Sequence, residues 1–453
     1  MRIRLAYWTA LALSACSSVE VPADESGTAL TSPATSNASS ATSSATDDDG
    51  DVGSVSDSQN GSTGGLVTST DPTAPPQTTA DDDAGTTAAG TTGIFPSDDT
   101  GETGTTADPT GTVPPGSTVP FDGKDYFLLG ANYPWRNYGG DFGGNGWGVY
   151  GVHTDYGGYD GDFAAMTDAH LEVIRWFVFT DGRAGIVFDN SGTPVSLGEY
   201  VLDDFDAALG IAKQRGAYLV PVLLDFHWMF WAKQEGPVQV GGRSDTITDP
   251  IKRAALVNNV FIPLFDKYAG DPNILAWEIM NEPEWSLSDV PEGQPDGQAN
   301  AVPLEAFYDL SRATAEAVHA HAGAYVTLGS ASLKWIKIWT PGFAASKGWN
   351  PIPLDFYQVH YYGWMDGQAW NDHPVYGSLK FSPMEQPYDA LGLDHPLVVG
   401  ELVISDNAGG RLDTLKSNGY AGAWPWSLKS DYSLDLPGLK AWAEGNAPLV
   451  DLP

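Results

Sequence analysis

Between Tyr126 and Trp426, eight short apolar runs alternate with longer segments of helical periodicity. That alternation restricts the fold more than any other feature of the chain. The runs are Tyr126–Tyr133, Glu172–Phe179, Ala217–Asp225, Ile274–Asn281, Ala324–Ser330, Leu354–His360, His395–Glu401 and Tyr420–Trp426. Each is short and largely apolar, as a strand buried on both faces requires. Between them lie Tyr200–Gln214, Ile251–Tyr268 and Leu304–Ala322, and in the last of these Phe307, Leu310, Ala313, Ala317 and Val318 share one helical face. Strands alternating with helices build parallel βα units. Residues 119–453 are therefore expected to form an α/β domain, a single (β/α)8 barrel with a large core. Two places fit the pattern less well. Pro221 lies inside the third run, where it cannot donate to a ladder, and Pro341, Gly342 and Gly348 interrupt the helix expected after the fifth.

The chemistry gathers at the ends of these runs. Ile274–Trp285 reads I-L-A-W-E-I-M-N-E-P-E-W. Pro283 should end the strand and turn the chain, leaving Asn281 and Glu282 at the carboxyl end, where barrels of this kind keep their active sites. Over a hundred residues later, P-L-V-V-G-E places Glu401 at the end of another apolar run. Two carboxylates at two strand tips suit a retaining glycosidase, in which one is acid/base and the other nucleophile. Glu278 lies deeper on its strand and is expected to pair with Arg or Lys, and Glu284, beyond Pro283, is expected to face the loop. Arg175, in V-I-R-W-F, is a cation inside an apolar strand and needs a carboxylate partner; Glu401 is the expected one.

On these residues the chain resembles the family 5 glycoside hydrolases of the large (β/α)8 clan. In that family an Arg on strand 2, a His after strand 3, Asn-Glu at the end of strand 4, His-x-Tyr after strand 6, a Glu ending strand 7 and a Trp on strand 8 surround the cleaved sugar. The resemblance makes Glu282 the acid/base and Glu401 the nucleophile, with Arg175, His227, Asn281, His360, Tyr362 and Trp426 around the substrate. Trp424 shares a strand face with Trp426, so spacing does not separate them; the Trp-Ser pair favours Trp426. Asn132–Trp135 and the run His227–Trp231 (H-W-M-F-W) are expected to add aromatic walls to the same end, with Trp135 and Trp228 as sugar contacts. Trp285, Trp364 and Trp370 extend that row along an open cleft. G-A-N-Y-P-W and D-F-Y-Q-V-H-Y-Y-G-W look most like the β-1,4-mannanase branch. A β-1,4-glucanase, an exo-glycosidase or transglycosylase of the same clan, and a non-catalytic sugar-binding surface lipoprotein are the alternatives.

The rest of the chain sets the context. The chain carries 58 acidic against 22 basic residues, a formal net charge of −36, and the acidic excess persists within 119–453. That argues against nucleic acid and other anionic partners and is compatible with a neutral β-linked polysaccharide or oligosaccharide. His319 and His321, two apart on a helix, point to different faces, so no metal and no cofactor are expected. Residues 1–16 have the basic start and short apolar stretch of a processing segment, and Leu13-Ser14-Ala15-Cys16 resembles a bacterial lipobox, with Cys16 as the lipidated residue. Cys16 is the only cysteine, so no disulfide forms within the chain. Residues 17–118 are rich in Ser, Thr, Gly, Ala, Asp and Pro without Lys or Arg, and are expected to be a disordered linker. The expected whole is a monomer tethered by lipid to the bacterial cell envelope, at the outer membrane, or else secreted.

Overall fold

A computed structural model describes residues 116–430 and 432–453. The expected leader with Cys16, and the expected linker as far as residue 115, lie outside the described residues. Eight parallel strands close into a barrel: β1 Leu128–Asn132, β2 Val173–Phe177, β3 Tyr218–Asp225, β4 Ala276–Asn281, β5 Tyr325–Ser330, β6 Tyr357–Tyr361, β7 Leu397–Val403 and β8 Gly422–Trp426. Each falls within or beside an expected run, and β8 pairs back onto β1 through Gly422 and Leu128. A hairpin, Val119–Phe121 with Lys124–Tyr126, precedes β1. Its Val119 and Tyr126 join Leu128, Val173, Val220, Ala276, Val398 and Trp424 in a packed cluster at the amino end of the barrel.

Alternation along the strands divides the core. Leu128, Val173, Val220 and Val398 belong to that inner cluster, whereas their neighbours Leu129, Ile174, Leu219 and Val399 pack with the surrounding helices. Helix Val201–Arg215 shows why the outer layer forms. Val201, Phe205, Ala208 and Ala212 are buried, Asp203 and Asp204 lie in its first turn, Lys213 and Arg215 in its last, and Gly216 ends it at φ 67°. The segment expected as one helix over 251–268 runs Pro250–Leu256, widens into a π turn at Val257–Phe261 and resumes at Ile262–Lys267, next to Pro263. After β5 the helix is short, Pro341–Lys347, capped by the Thr340 side chain and stopped by Gly348. Between β6 and β7 the outer layer carries a hairpin, Ala369–His373 with Gly377–Lys380, and a 3₁₀ turn, Tyr388–Leu391.

Departures from regular pairing aim the site. The pairing of β3 with β4 advances three residues on β3, from Leu219 to Val222, while β4 advances four, from Ile274 to Glu278. The ladder thus accommodates Pro221 within an otherwise continuous strand. β4 is irregular again between Glu278 and Asn281, and β7 slips at Gly400, where pairing passes from Val359–Val399 to His360–Glu401. Such bulges re-aim side chains. Here they turn Asn281 and Glu401 toward the groups carried by β2 and β6.

Candidate active site

Halfway up the barrel the interior becomes ionic. The buried Arg175 guanidinium uses all five donors: Nε and Nη2 to Glu278 at 2.7 and 2.6 Å, Nη2 to Asn281 Oδ1 at 2.7 Å, and Nη1 to Asn132 Oδ1 at 2.8 Å and Glu401 Oε1 at 2.7 Å. Two glycines make room for this layer. A Cβ on Gly329 would stand 2.4 Å from Glu278 Oε1, and one on Gly400 would stand 2.4 Å from Gln358 Cγ. Asn132 Nδ2 donates to the carbonyls of Gly400 and Trp424, both at 2.8 Å, tying β1 to β7 and β8.

Glu282 follows Asn281 in the left-handed region, φ 45° and ψ 48°, with its N–H held by Gly329 O at 2.7 Å. That backbone turn lets two adjacent residues, which would alternate on a regular strand, both serve the barrel mouth. Its cost, on the order of 1–3 kcal/mol, is the kind of strain that clusters at functional sites. Pro283–Trp285 then make a 3₁₀ turn that brings Trp285 Nε1 back to Glu282 Oε2 at 2.8 Å. The other oxygen, Oε1, is 2.7 Å from His360 Nδ1, which is itself 3.5 Å from Glu401 Oε1. His360 Nε2 lies 3.1 Å from Gln358 Nε2. Tyr362 donates to Glu401 Oε2 at 2.6 Å. An oxygen of Glu282 and one of Glu401 lie within 4.8 Å of each other, over the carboxyl ends of β4 and β7.

The two carboxyls are held in unlike ways. Burial pushes Glu282 up to about 8, with Asp225 adding to the rise and Trp285 opposing it. Burial also raises Glu401, but the Arg175 guanidinium and the Tyr362 hydroxyl work against that rise. Among the described residues Glu282 has no cation in hydrogen-bond contact, so in a shared site the proton resides on Glu282 and the charge on Glu401. Burial pushes His360 down to about 4, leaving a neutral imidazole with one N–H between the two carboxyls at neutral pH.

His227 lies behind this group. Its Nδ1 is paired with Asp225 Oδ1, and Asp225 Oδ2 accepts from Asn281 Nδ2 at 2.7 Å. His227, Asp225, Asn281, Arg175 and Glu401 thereby form one continuous hydrogen-bonded chain. Burial works to lower the His227 pKa, but the Asp225 carboxylate outweighs it and the net shift is upward. Asp225 and Gln358 were not among the sequence-derived candidates. An acid two residues before a histidine at a strand tip, in D-F-H, was the available signal for Asp225.

The tryptophans separate clearly. Trp426 is half-buried at the mouth, edge-to-face with Trp135 at 6.0 Å and with Phe177 at 6.3 Å. Trp424 is buried in the amino-end cluster against Phe356. Trp228, expected as a sugar contact, is fully buried instead. It lies on the 3₁₀ turn Phe226–Met229 and donates its indole N–H to Thr246 Oγ1 at 3.0 Å, so it presents no face to a cleft. Tyr133 is likewise in the core, donating to Asp162 at 2.8 Å. On the same loop as Trp228, Trp231 is 62% exposed.

Glu284 also departs from expectation. It is fully buried rather than turned to the loop, accepting from Ser330 Oγ, Ala331 N and Trp339 Nε1 at 2.6, 3.1 and 2.8 Å. Burial pushes its carboxyl up to about 7 from an ordinary 4.5. Because the folded value is the higher one, its favourable contribution is complete below pH 4.5 and is lost as pH rises through about 7. Glu284→Gln should remove that slope. The Tm of wild type relative to the variant should fall between pH 4.5 and 7, and a constant difference would show that Glu284 is ionised throughout.

Glu282, His360 and Glu401 are also close enough to hold a cation, as are His170, Glu172 and Asp451 near the start of β2. In the first group Arg175 occupies the cation's place beside Glu401, and the arrangement as it stands offers a proton donor and a charged oxygen over one space. His319 and His321 pair with different acids, Asp355 and Asp266.

Comparison with known proteins bears on the fold and the family. A mannan endo-1,4-β-mannosidase of Mytilus edulis is 24% identical over 342 residues, covering 69% of this chain and 86% of that protein. One from Cryptopygus antarcticus is 24% identical over 377 residues, covering 72% and 88%. The structure of the blue mussel β-mannanase superposes with a TM-score of 0.60 at 21% identity, covering 72% of this chain and 95% of that one. The endo-1,4-β-mannanase of Eisenia fetida gives 0.59 at 24% identity, covering 74% and 94%. Residues 139–431 match the family model described as cellulase (glycosyl hydrolase family 5), and the chain belongs to that family.

Proposed function

We propose that the chain is a retaining, endo-acting β-glycoside hydrolase of a neutral β-1,4-linked mannan, with Glu401 as nucleophile and Glu282 as acid/base. The observation that carries this reading is the pair of carboxyls whose oxygens approach within 4.8 Å and whose partners differ. Retaining glycosidases hold their carboxyls about 5–5.5 Å apart; inverting ones need roughly 6.5–9.5 Å to admit a water. In the first step Glu401 attacks the anomeric carbon while Glu282 gives its proton to the departing glycosidic oxygen. Arg175 and Tyr362 hold Glu401 ionised beforehand, and their hydrogen bonds weaken as its charge passes into the new bond. In the second step the Glu282 carboxylate takes a proton from water, which displaces Glu401 and leaves the sugar with its original configuration. The choice of mannan is supported by the names of the relatives.

Mannan and glucomannan should release reducing sugar, carboxymethyl-cellulose much less, and the new anomeric centres should appear first as β by NMR. Release of α product would sink the retaining mechanism, and a preference for carboxymethyl-cellulose would sink the choice of mannan. The pH profile of kcat/KM should be a bell. Loss of the Glu282 proton should set its basic limb near about 8, and protonation of Glu401 should set an acidic limb above the ordinary carboxylate range. Both limbs report the coupled pair.

A further inference from the structure

Trp147 is an exposed tryptophan tied down by hydrogen bonds on its backbone and its indole. It sits in a turn closed at both ends by reciprocal backbone hydrogen bonds between Asn145 and Gly148, at 3.0 and 3.1 Å. Asn145 Oδ1 accepts from its N–H at 2.9 Å, and Tyr150 donates to its carbonyl at 2.8 Å. Its indole N–H is donated to Glu235 O at 3.1 Å, on the hairpin Lys233–Glu235 with Val238–Val240 that follows β3. The turn is pressed onto that hairpin: a Cβ on Gly146 would stand 2.8 Å from Pro237. Yet Trp147 is 39% exposed. Its N–H, carbonyl and indole N–H are all engaged, so what it offers solvent is apolar ring surface.

That ring continues the aromatic row from the reacting centre. Trp426 meets Trp135 at 6.0 Å, Trp135 meets Tyr138 at 4.7 Å, and the Arg183 guanidinium lies 4.3 Å over Tyr138 and 5.5 Å over Trp147. Arg183 is fixed by Asp181 at 2.6 Å. Loops following β1, β2 and β3 thus converge to position one ring.

We propose that Trp147 is a distal sugar platform: a hexopyranose unit of the substrate chain, beyond the unit cleaved between Glu282 and Glu401, stacks its C–H face on the indole. The proposal rests on the glycanase reading above. An aromatic face suits the apolar face of a sugar ring, and a side chain already immobilised loses little entropy on binding. Because the N–H is engaged, recognition is by stacking and does not depend on the orientation of one hydroxyl.

The test is a length series. Trp147→Ala and Trp147→Phe are compared with wild type on β-1,4-manno-oligosaccharides of increasing length and, in parallel, on cello-oligosaccharides. For Trp147→Ala, kcat/KM should fall about tenfold on the long members, the change that corresponds to about 1.4 kcal/mol. The loss should lie in KM, and the shortest cleaved member should be unaffected. Trp147→Phe should keep most of the activity. Equal losses at every length would mark a structural role, and no loss at any length would leave the ring without a ligand; either overturns the platform. If wild type cleaves the cello series instead, the choice of mannan fails while the length dependence is read on that series. A wild type that cleaves neither overturns both.

Discussion

Replacing Glu401 by alanine is expected to lower turnover of an aryl β-glycoside with a good leaving group on the order of 10⁴-fold, because no group remains to attack the anomeric carbon. Glu282→Ala should behave differently on the same substrate. An activated leaving group needs little acid, so the glycosyl-enzyme forms and accumulates, visible as a mass increase on the intact protein. Azide should then restore turnover and yield a β-glycosyl azide, since a small anion needs no base. The pairing of Glu401 with Arg175 and Tyr362, and of Glu282 with Trp285 and His360, motivates this assignment. A β-azide obtained only with Glu401→Ala would reverse it.

Arg175→Met should have the largest effect on the fold. From sequence, Arg175 had one expected partner, Glu401. The structure adds Glu278, held by two of the guanidinium's hydrogen bonds. Removing the cation strands two buried carboxylates, and breaking a buried pair costs about 3–5 kcal/mol. The single variant should therefore be strongly destabilised in urea melts, and Arg175→Met combined with Glu278→Gln should recover part of the loss. In that double variant the acidic limb should still move upward. Arg175 favours the charged form of Glu401, so without it the nucleophile gains its proton at higher pH. A wild-type acidic limb in a folded double variant would show that Arg175 does not set the charge of Glu401.

Why Arg175 was half legible is instructive. A cation in V-I-R-W-F must find an anion, and the glutamate that the family resemblance makes the nucleophile, Glu401, was the obvious candidate. That Glu278 is its second partner depends on register between β2 and β4, which runs through β3 and its irregularity at Pro221. The eight strands were readable because each is a nearly continuous apolar run bounded by turn residues, and their ends fall within a few residues of expectation. Side-chain direction past the strand ends was not. Trp228 sits one residue after His227, yet a four-residue 3₁₀ turn carries them to different surroundings, and no periodicity can be read over so short a span. Glu284 was misjudged for the same reason, since the 3₁₀ turn after Glu282 folds it inward onto Ser330 and Trp339. The bulges in β4 and β7 are also silent in a sequence, because an apolar run looks the same whether or not one residue is out of step.

The ionic layer across the middle of the barrel bears on how this protein could be engineered. Arg175, Glu278 and Gln358 fill a level where closely packed aliphatic side chains would give a stronger barrel, since buried ion pairs are commonly no better than apolar groups of equal volume. A selection for heat resistance alone would therefore favour replacing them, and the survivors would be stable and inert. Gly329 and Gly400 cannot be filled either, because any larger residue collides with Glu278 or Gln358. Stabilising substitutions compatible with activity must come from elsewhere, such as the Leu128–Val220–Trp424 cluster at the amino end or the exposed positions of the outer helices. A screen that scores melting temperature and turnover together should return changes in those regions and none at the ionic level.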